Sequence, residues 1–423
     1  MKSNKKNTII ITLNKDTKEI EELADSLGYK TIKIFYQNRE KPDVNSFVGS
    51  GKVEEIKEFL EKSEEEISLA IVDYEIKPSQ WFYLEKKLKL DVYDRIRLIL
   101  AIFEERAERK EAKLQVKLAQ LHYERPFVRE LIHRARAGEH PGFMAGGEYQ
   151  VDDYYEMIKK QMKKIRSELE SIGDERELRR QHRYISGFYL VSIAGYTNAG
   201  KSSLLNLLSG EKVRVEGRLF STLSTTTRRI KNKNIPILLT DTVGFIQDLP
   251  VFIIDAFHST LEEIKVADVV LLISDISEPL ELIEKKLKVS FDELMDIGVE
   301  STVILVLNKS DLLSKGEIEE KMEFLRKSFL TKNKKMISIS VKNQDNIDAL
   351  LDLIYTSLPD LIEFNIRLPI SDKNQSFISW IYDKAQVYDV SYSNFVDLSV
   401  KCNIEVYKKI VSRCKEIDGC VVH

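Results

Sequence analysis

A chain of 423 residues, 43% hydrophobic and 31% charged, has room for about three domains with real cores. A formal net charge of −3 excludes a protein that coats DNA or RNA generally, so any RNA contact must come from a local patch. Apolar runs such as 269–273 are far too short to span a bilayer, and the basic opening Met1-Lys2-Ser3-Asn4-Lys5-Lys6 meets a strand-like segment with no cleavage site.

Cys402, Cys414 and Cys420 lack a second pair for a zinc site. The expected protein is therefore soluble and cytoplasmic, with reduced thiols, no membrane span and no DNA partner.

The first segments alternate between strand-like and helix-like. Thr8-Ile9-Ile10-Ile11-Thr12-Leu13, Thr31-Ile32-Lys33-Ile34-Phe35 and Leu69-Ala70-Ile71-Val72-Asp73 read as strands. Amphipathic helical stretches near 16–27, 52–62 and 78–89 separate them. This predicts a small α/β domain over 1–90 with parallel strands. Within it, Gly49-Ser50-Gly51-Lys52 is too short for a phosphate loop and predicts a turn and helix start.

From 91 to 184 the pattern is helical. Ile99, Phe103, Ala107, Leu114, Leu118 and Leu121 fall on one side of a predicted long helix. Tyr155, Ile158, Met162, Ile165, Leu169 and Ile172 then recur at steps of three and four, a heptad seam. Together they predict an antiparallel, coiled-coil-like helical hairpin. Its tip, 135–148, holds four glycines and one proline, which preclude helix, and carries Arg136, His140, Phe143 and Met144. The stretch 159–183 has nine basic and five acidic residues, which suits a solvated face or a weak bias toward an anionic partner.

A second α/β pattern covers 185–360. A β-branched run ends in Gly195-Tyr196-Thr197-Asn198-Ala199-Gly200-Lys201-Ser202, and Ser203-Leu204-Leu205-Asn206-Leu207-Leu208 follows as a helix. This is G-x-x-x-x-G-K-S in the strand–turn–helix setting it needs. Backbone N–H groups of residues 195–203 enclose a β-phosphate, Lys201 reaches the β- and γ-phosphates, and the Ser202 hydroxyl ligates Mg²⁺. Ile235-Pro236-Ile237-Leu238-Leu239-Thr240 reads as a core strand ending at Asp241-Thr242-Val243-Gly244. Asp241 there can hold the metal through water, and Gly244 lets a backbone N–H approach the γ-phosphate.

Between these elements the hydroxyl-rich stretch 219–229 suits a loop ordered by γ-phosphate and metal. Thr227 is expected to supply the second hydroxyl ligand, with Thr226 as the alternative, because adjacent residues point in opposite directions. Another apolar strand, 301–307, ends in Asn308-Lys309-Ser310-Asp311. The Asp311 carboxylate can accept both N1–H and N2–H₂ of guanine, donors that adenine lacks. Finally Ser340-Val341-Lys342 follows a short strand and places a backbone N–H near the guanine oxygen. Four elements in this order predict a GTP/GDP site.

The residue after Gly244 is Phe245, where many hydrolysing switches carry a water-orienting Gln. A phenyl ring can neither position water nor accept a proton. Asn198 offers one substitute, an amide oxygen that holds a monovalent cation such as K⁺ beside the phosphates; its alternative role is to stabilise the turn. The expected catalytic set is Asn198, Lys201, Thr227 and Gly244. Beyond Leu358-Pro359, the alternating residues 362–368, 387–392 and 396–400 predict a small α+β module over 361–423.

The chain resembles the HflX GTPases, relatives of the Obg and Era groups. The resemblance rests on Asp241-Thr242-Val243-Gly244-Phe245-Ile246-Gln247-Asp248-Leu249-Pro250, on Asp255-Ala256-Phe257 and Thr260-Leu261-Glu262-Glu263, and on 195–202, 113–121 and 49–52. It implies a multidomain α/β protein: an N-terminal α/β domain with the long hairpin, a central Ras-like P-loop GTPase domain, and a C-terminal α+β module. It also implies GTP hydrolysis coupled to binding the large ribosomal subunit, with separation of stalled or idle ribosomes. The hairpin tip would enter the peptidyl-transferase region, against ribosomal RNA, and the ribosome would stimulate hydrolysis.

Two stretches depart from the family pattern. Met144-Ala145-Gly146-Gly147-Glu148 stands where relatives read Arg-Gly-Pro-Gly-Glu, and Ser224-Thr225 where they read Asp-Pro. The alternatives are a ribosome-assembly GTPase of the Era or Obg kind, or a slow, non-catalytic GTP switch docking on a protein partner.

Overall fold

A computed structural model describes residues 5–136, 148–185, 188–210, 226–230, 236–242, 244–246, 250, 252–253, 261–328, 330–332, 334–359, 362–370, 372–392, 394–417 and 419–422. The chain divides into two compact units, the first built mainly on residues up to 171 and the second on most of the remainder.

In the first unit, β1 (Lys6–Thr12), β2 (Tyr29–Tyr36), β3 (Ile67–Val72) and β4 (Asp91–Asp94) form one sheet in the order β2-β1-β3-β4. Every pairing is parallel. Parallel strands are covered on both faces, which is why Ile9, Ile10, Ile11, Ile71 and Val72 form unbroken apolar runs, all fully buried. Helices α1 (Lys18–Ser26), α2 (Ser50–Lys62) and α3 (Pro78–Leu88) make the crossovers. Gly49 caps α2 as a turn residue, and the sequence around it forms a helix start.

The single long helix expected through 99–121 is two helices, α4 (Arg95–Arg106) and α5 (Lys110–Arg136). Ala107 breaks them with an extended backbone, ψ 100°. No glycine or proline marks this break, so the apolar spacing runs straight across it. α6 (Glu148–Ile185) lays Ile158, Met162 and Ile165 of the seam against Leu121 and Val128 of α5, flanked by Leu114, Leu118 and Leu169. Of the tip, 137–147 lie outside the described residues.

Asp94 ends β4 and caps α4, accepting from the N–H of Arg97 (2.7 Å) and of Ile76 (3.3 Å). It is 1% exposed, and burial raises its carboxyl to about 6. A folded-state value above the unfolded one means that the native state holds the proton more tightly. This residue's contribution to stability is therefore present at low pH and lost as pH rises from about 4 to about 6. Asp94→Asn keeps an acceptor for the cap but never ionises. The variant also sets an amide N–H against the N–H of Ile76, a pH-independent cost, so what the raised carboxyl predicts is the change with pH. Stability of the variant relative to the parent should rise by up to about 2–3 kcal/mol between about pH 4 and pH 7. Urea unfolding of both proteins across this range checks it; a parent–variant difference independent of pH would refute it.

In the second unit, β5 (Tyr189–Gly195), β6 (Thr226–Arg229), β7 (Ile237–Asp241), β8 (Val269–Asp275), β9 (Thr302–Asn308) and β10 (Lys335–Ser338) form a six-stranded sheet. Its order is β10-β9-β8-β5-β7-β6, and only β6 runs antiparallel to its neighbour. The chain leaves β5 toward β7 on one side and later fills β8, β9 and β10 on the other. Strand order thus reverses beside β5, and a crevice opens at the carboxyl ends of β5, β7 and β8.

β11 (Ile362–Pro369), β12 (Gln386–Tyr392), β13 (Phe395–Cys402) and β14 (Cys420–Val422) form a separate antiparallel sheet, ordered β12-β13-β11-β14. With helices Asp372–Lys384 and Ile404–Glu416 this is a βαββαβ module, an α+β arrangement whose helices and last strand the sequence pattern did not place. Among the described residues no helix is long and apolar enough to cross a membrane.

Candidate functional site

The turn after β5 is built by backbone demands that few residues meet. Gly200 has φ +99°, and a Cβ there would lie 2.3 Å from Asn308 Nδ2. Asn198 takes the left-handed region at φ +62°, which asparagine tolerates better than most residues, and its side chain is exposed. Helix α7 (Lys201–Ser209) starts immediately after. Its first-turn N–H groups, including that of Ser203, therefore face the crevice at β5.

Lys201 lies buried at the helix start. Its ammonium donates to the carbonyls of Gly195 (3.0 Å) and Tyr196 (2.9 Å). Burial pulls its pKa down to about 8, and the Asp241 charge only partly restores it. The Ser202 hydroxyl donates to Asp241 Oδ2 at 2.6 Å, joining the phosphate-loop helix to the end of β7. Two oxygens so close form the hard-donor pair that suits a small divalent cation.

The segment after Asp241 folds back on the turn. Phe245 N–H donates to Gly195 O and Thr197 N–H to Phe245 O, both at 3.0 Å, forming a parallel bridge between Tyr196 and Phe245. Gly244 is wedged in: an added Cβ would meet Lys201 Nζ at 2.7 Å and Thr197 Cγ2 at 2.8 Å. The Phe245 ring is 4% exposed, part of the core rather than of the crevice.

Thr227 lies in β6 with its hydroxyl 3.0 Å from that of Thr240, while Thr226 pairs with Asp241 in the ladder. Residues 211–225, with most of the hydroxyl-rich stretch, and Val243, 247–249 and 254–260 lie outside the described residues.

On the other side of the crevice, Asn308 ends β9. Its Nδ2 donates to Ala199 O (2.9 Å) and its Oδ1 accepts from Val341 N–H (3.1 Å), which clamps the phosphate loop to the 340–342 loop. Asp311 Oδ1 accepts from Ser340 Oγ (2.7 Å), and Lys342 Nζ stands 3.9 Å from Oδ2. Lys309, in left-handed backbone, pairs with Asp275 Oδ2 at 2.6 Å. The structure thus gathers 195–203, Asp241, Gly244, 308–311 and 340–342 around one crevice, with Thr227 one strand away. Asp275 is the neighbour that motif reading missed; its signal in the sequence is an Asp at a strand end with a Ser two residues on, whose N–H and hydroxyl donate to it.

Three family models match along the chain: "GTP-binding GTPase N-terminal" over 14–104, "GTP-binding GTPase Middle Region" over 106–183, and "50S ribosome-binding GTPase" over 190–309. The GTPase HflX of Thermococcus kodakarensis is 42% identical over 382 residues, 88% of this chain and 85% of that protein. The GTPase HflX of Methanocaldococcus jannaschii is 39% identical over 388 residues, 90% of this chain and 92% of that one. Among solved structures, a crystal structure of SsGBP in complex with GDP superposes with a TM-score of 0.50 at 29% identity, covering 83% of this chain and 98% of that one.

Proposed function

The chain belongs to the HflX family of GTPases, and on that premise we propose that its GTP form binds the large ribosomal subunit in the cytoplasm and promotes separation of ribosomes into subunits. The clamp of Asn308 between Ala199 and Val341 carries the nucleotide part of this reading, because it fixes phosphate loop and base loops as one pocket. In it, the 195–203 backbone and Lys201 hold the phosphates, while Asn308, Lys309, Asp311 and the 340–342 loop hold guanine. Ser202 and Asp241 fit a Mg²⁺ ion by their convergence. Thr227, paired with Thr240 on the face away from Asp241, serves as third donor only if β6 itself shifts, whereas Thr226 already stands opposite Asp241. Mg²⁺ bound there neutralises charge on the β- and γ-phosphates.

Phe245 gives the chain no side chain to orient water, and its backbone is tied to the phosphate loop. Hydrolysis then depends on outside help: the ribosome, together with K⁺ held by Asn198, Gly244 presenting its N–H to the γ-phosphate. The two-helix hairpin supports the ribosomal part, as a stalk presenting 135–148 to ribosomal RNA.

Co-sedimentation with purified ribosomes tests the reading. With a non-hydrolysable GTP analogue the protein should pellet with large subunits while whole ribosomes disappear; with GDP it should stay in the supernatant. No association in either state overturns it. Binding confined to precursor particles would instead favour an assembly role. Negligible turnover with K⁺ and ribosomes present would favour a non-catalytic switch docking on a protein.

A further inference from the structure

We propose that Asp275 is a positioning residue for Lys309, and that the loop 275–278 sets the base side of the pocket in register with the phosphate loop. The inference rests on the guanine-nucleotide reading of the crevice but not on the ribosomal one.

Asp275 is the last residue of β8 and lies opposite Asn308 in the β8–β9 ladder. One carboxylate oxygen, Oδ1, is held by the N–H (2.9 Å) and hydroxyl (2.6 Å) of Ser277, so the side chain cannot swing. The other, Oδ2, is thereby aimed at Lys309 Nζ, 2.6 Å away. Both side chains are largely shielded, 12% exposed for Asp275 and 30% for Lys309, so water screens the pair weakly.

A lysine side chain has several rotors, and ordering them on binding costs free energy. Here the ion pair orders Lys309 beforehand, two residues from Asp311. The pair also offsets the ammonium's charge, leaving the apolar stem as the surface that a planar purine can cover.

The loop reaches further. Ile276 N–H donates to Asn308 O (3.0 Å), fastening it to the residue that clamps Ala199. Lys321 Nζ donates to the carbonyls of Ile276 (2.9 Å) and Glu278 (2.7 Å). Glu278 Oε1 pairs with Lys286 Nζ at 2.5 Å, and that ammonium sits 5.0 Å from the centre of the Tyr196 ring in the phosphate loop. Base-side lysine and phosphate loop are thus tied to the same four residues.

The test uses the full chain, without ribosomes, and fluorescent GDP as probe. Asp275→Ala should raise the GDP dissociation rate and the Kd for GTP by about tenfold. Asp275→Asn keeps the Ser277 turn and loses only the charge, so it should give a rise of about threefold. If Asp275 acts through Lys309, Lys309→Ala should have a similar effect, and the double variant should be no worse than the worse single one.

Dissociation rates within twofold of the parent, or losses that add in full, would overturn the proposal. Should Asp275→Ala melt at a much lower temperature, Asp275→Asn decides on the same two criteria. A parent chain that fails to bind GDP would refute the base-site reading itself, a different outcome from either.

Discussion

Asp311→Asn should turn the chain from a guanine-nucleotide binder into one that prefers xanthine nucleotides. The native carboxylate is 8% exposed, and one oxygen is already fixed by the Ser340 hydroxyl at 2.7 Å. With that anchor the carboxylate would offer a bound purine acceptors only, matching N1–H and N2–H₂ of guanine. An asparagine in its place presents at least one N–H donor to the guanine amino group, where two donors then oppose each other in a shielded pocket. GTP affinity should fall by roughly 100-fold, the cost of leaving charged-type hydrogen bonds unmade. Xanthine carries an oxygen where guanine carries N2, and this oxygen accepts what Asn donates. Competition of GTP and XTP against fluorescent GDP reads both effects. Guanine affinity that survives the change intact would show that Asp311 does not face the base.

The parts of this molecule that were legible in its sequence are those whose cause is local. The glycines and Lys201-Ser202 after β5 mark a turn that only such residues build, and the apolar runs ending at Asp241 and Asn308 mark core strands wherever the rest of the chain lies. The same holds for the α5–α6 seam, whose spacing is set by the helix alone.

What depended on register or distance was not legible. Asp275 meets Lys309 only because β8 and β9 pair with Asp275 opposite Asn308, a fact no spacing records. Phe245 could be read as unable to orient water, but its backbone bridge to Gly195 and Thr197 needs both ends of the fold in place. The break at Ala107 was hidden because a helix end without Gly or Pro leaves the apolar period unchanged. β14 was hidden because three residues are too few for a pattern.

Lys201→Ala should abolish tight nucleotide binding while leaving the protein, in nucleotide-free buffer, at least as stable as the parent. Among the described residues the buried ammonium donates to the carbonyls of Gly195 and Tyr196, and burial holds its pKa at about 8 because these bonds and the Asp241 charge only partly replace water. The charge is tolerated rather than stabilising until phosphate oxygens supply the missing partner. Removing it relieves the fold of a buried charge but deprives a triphosphate of hydrogen bonds from a cation, a loss of about 100-fold or more in affinity.

Thermal melting separates the two effects. The parent should melt at a higher temperature when GDP is added, because a ligand that binds only the native state stabilises it, and the variant should show no such rise. Lys201→Met, which preserves most of the buried stem, should behave as the alanine variant does if charge rather than packing is what the nucleotide needs. Unchanged GTP turnover in either variant would refute the phosphate-binding role of this turn.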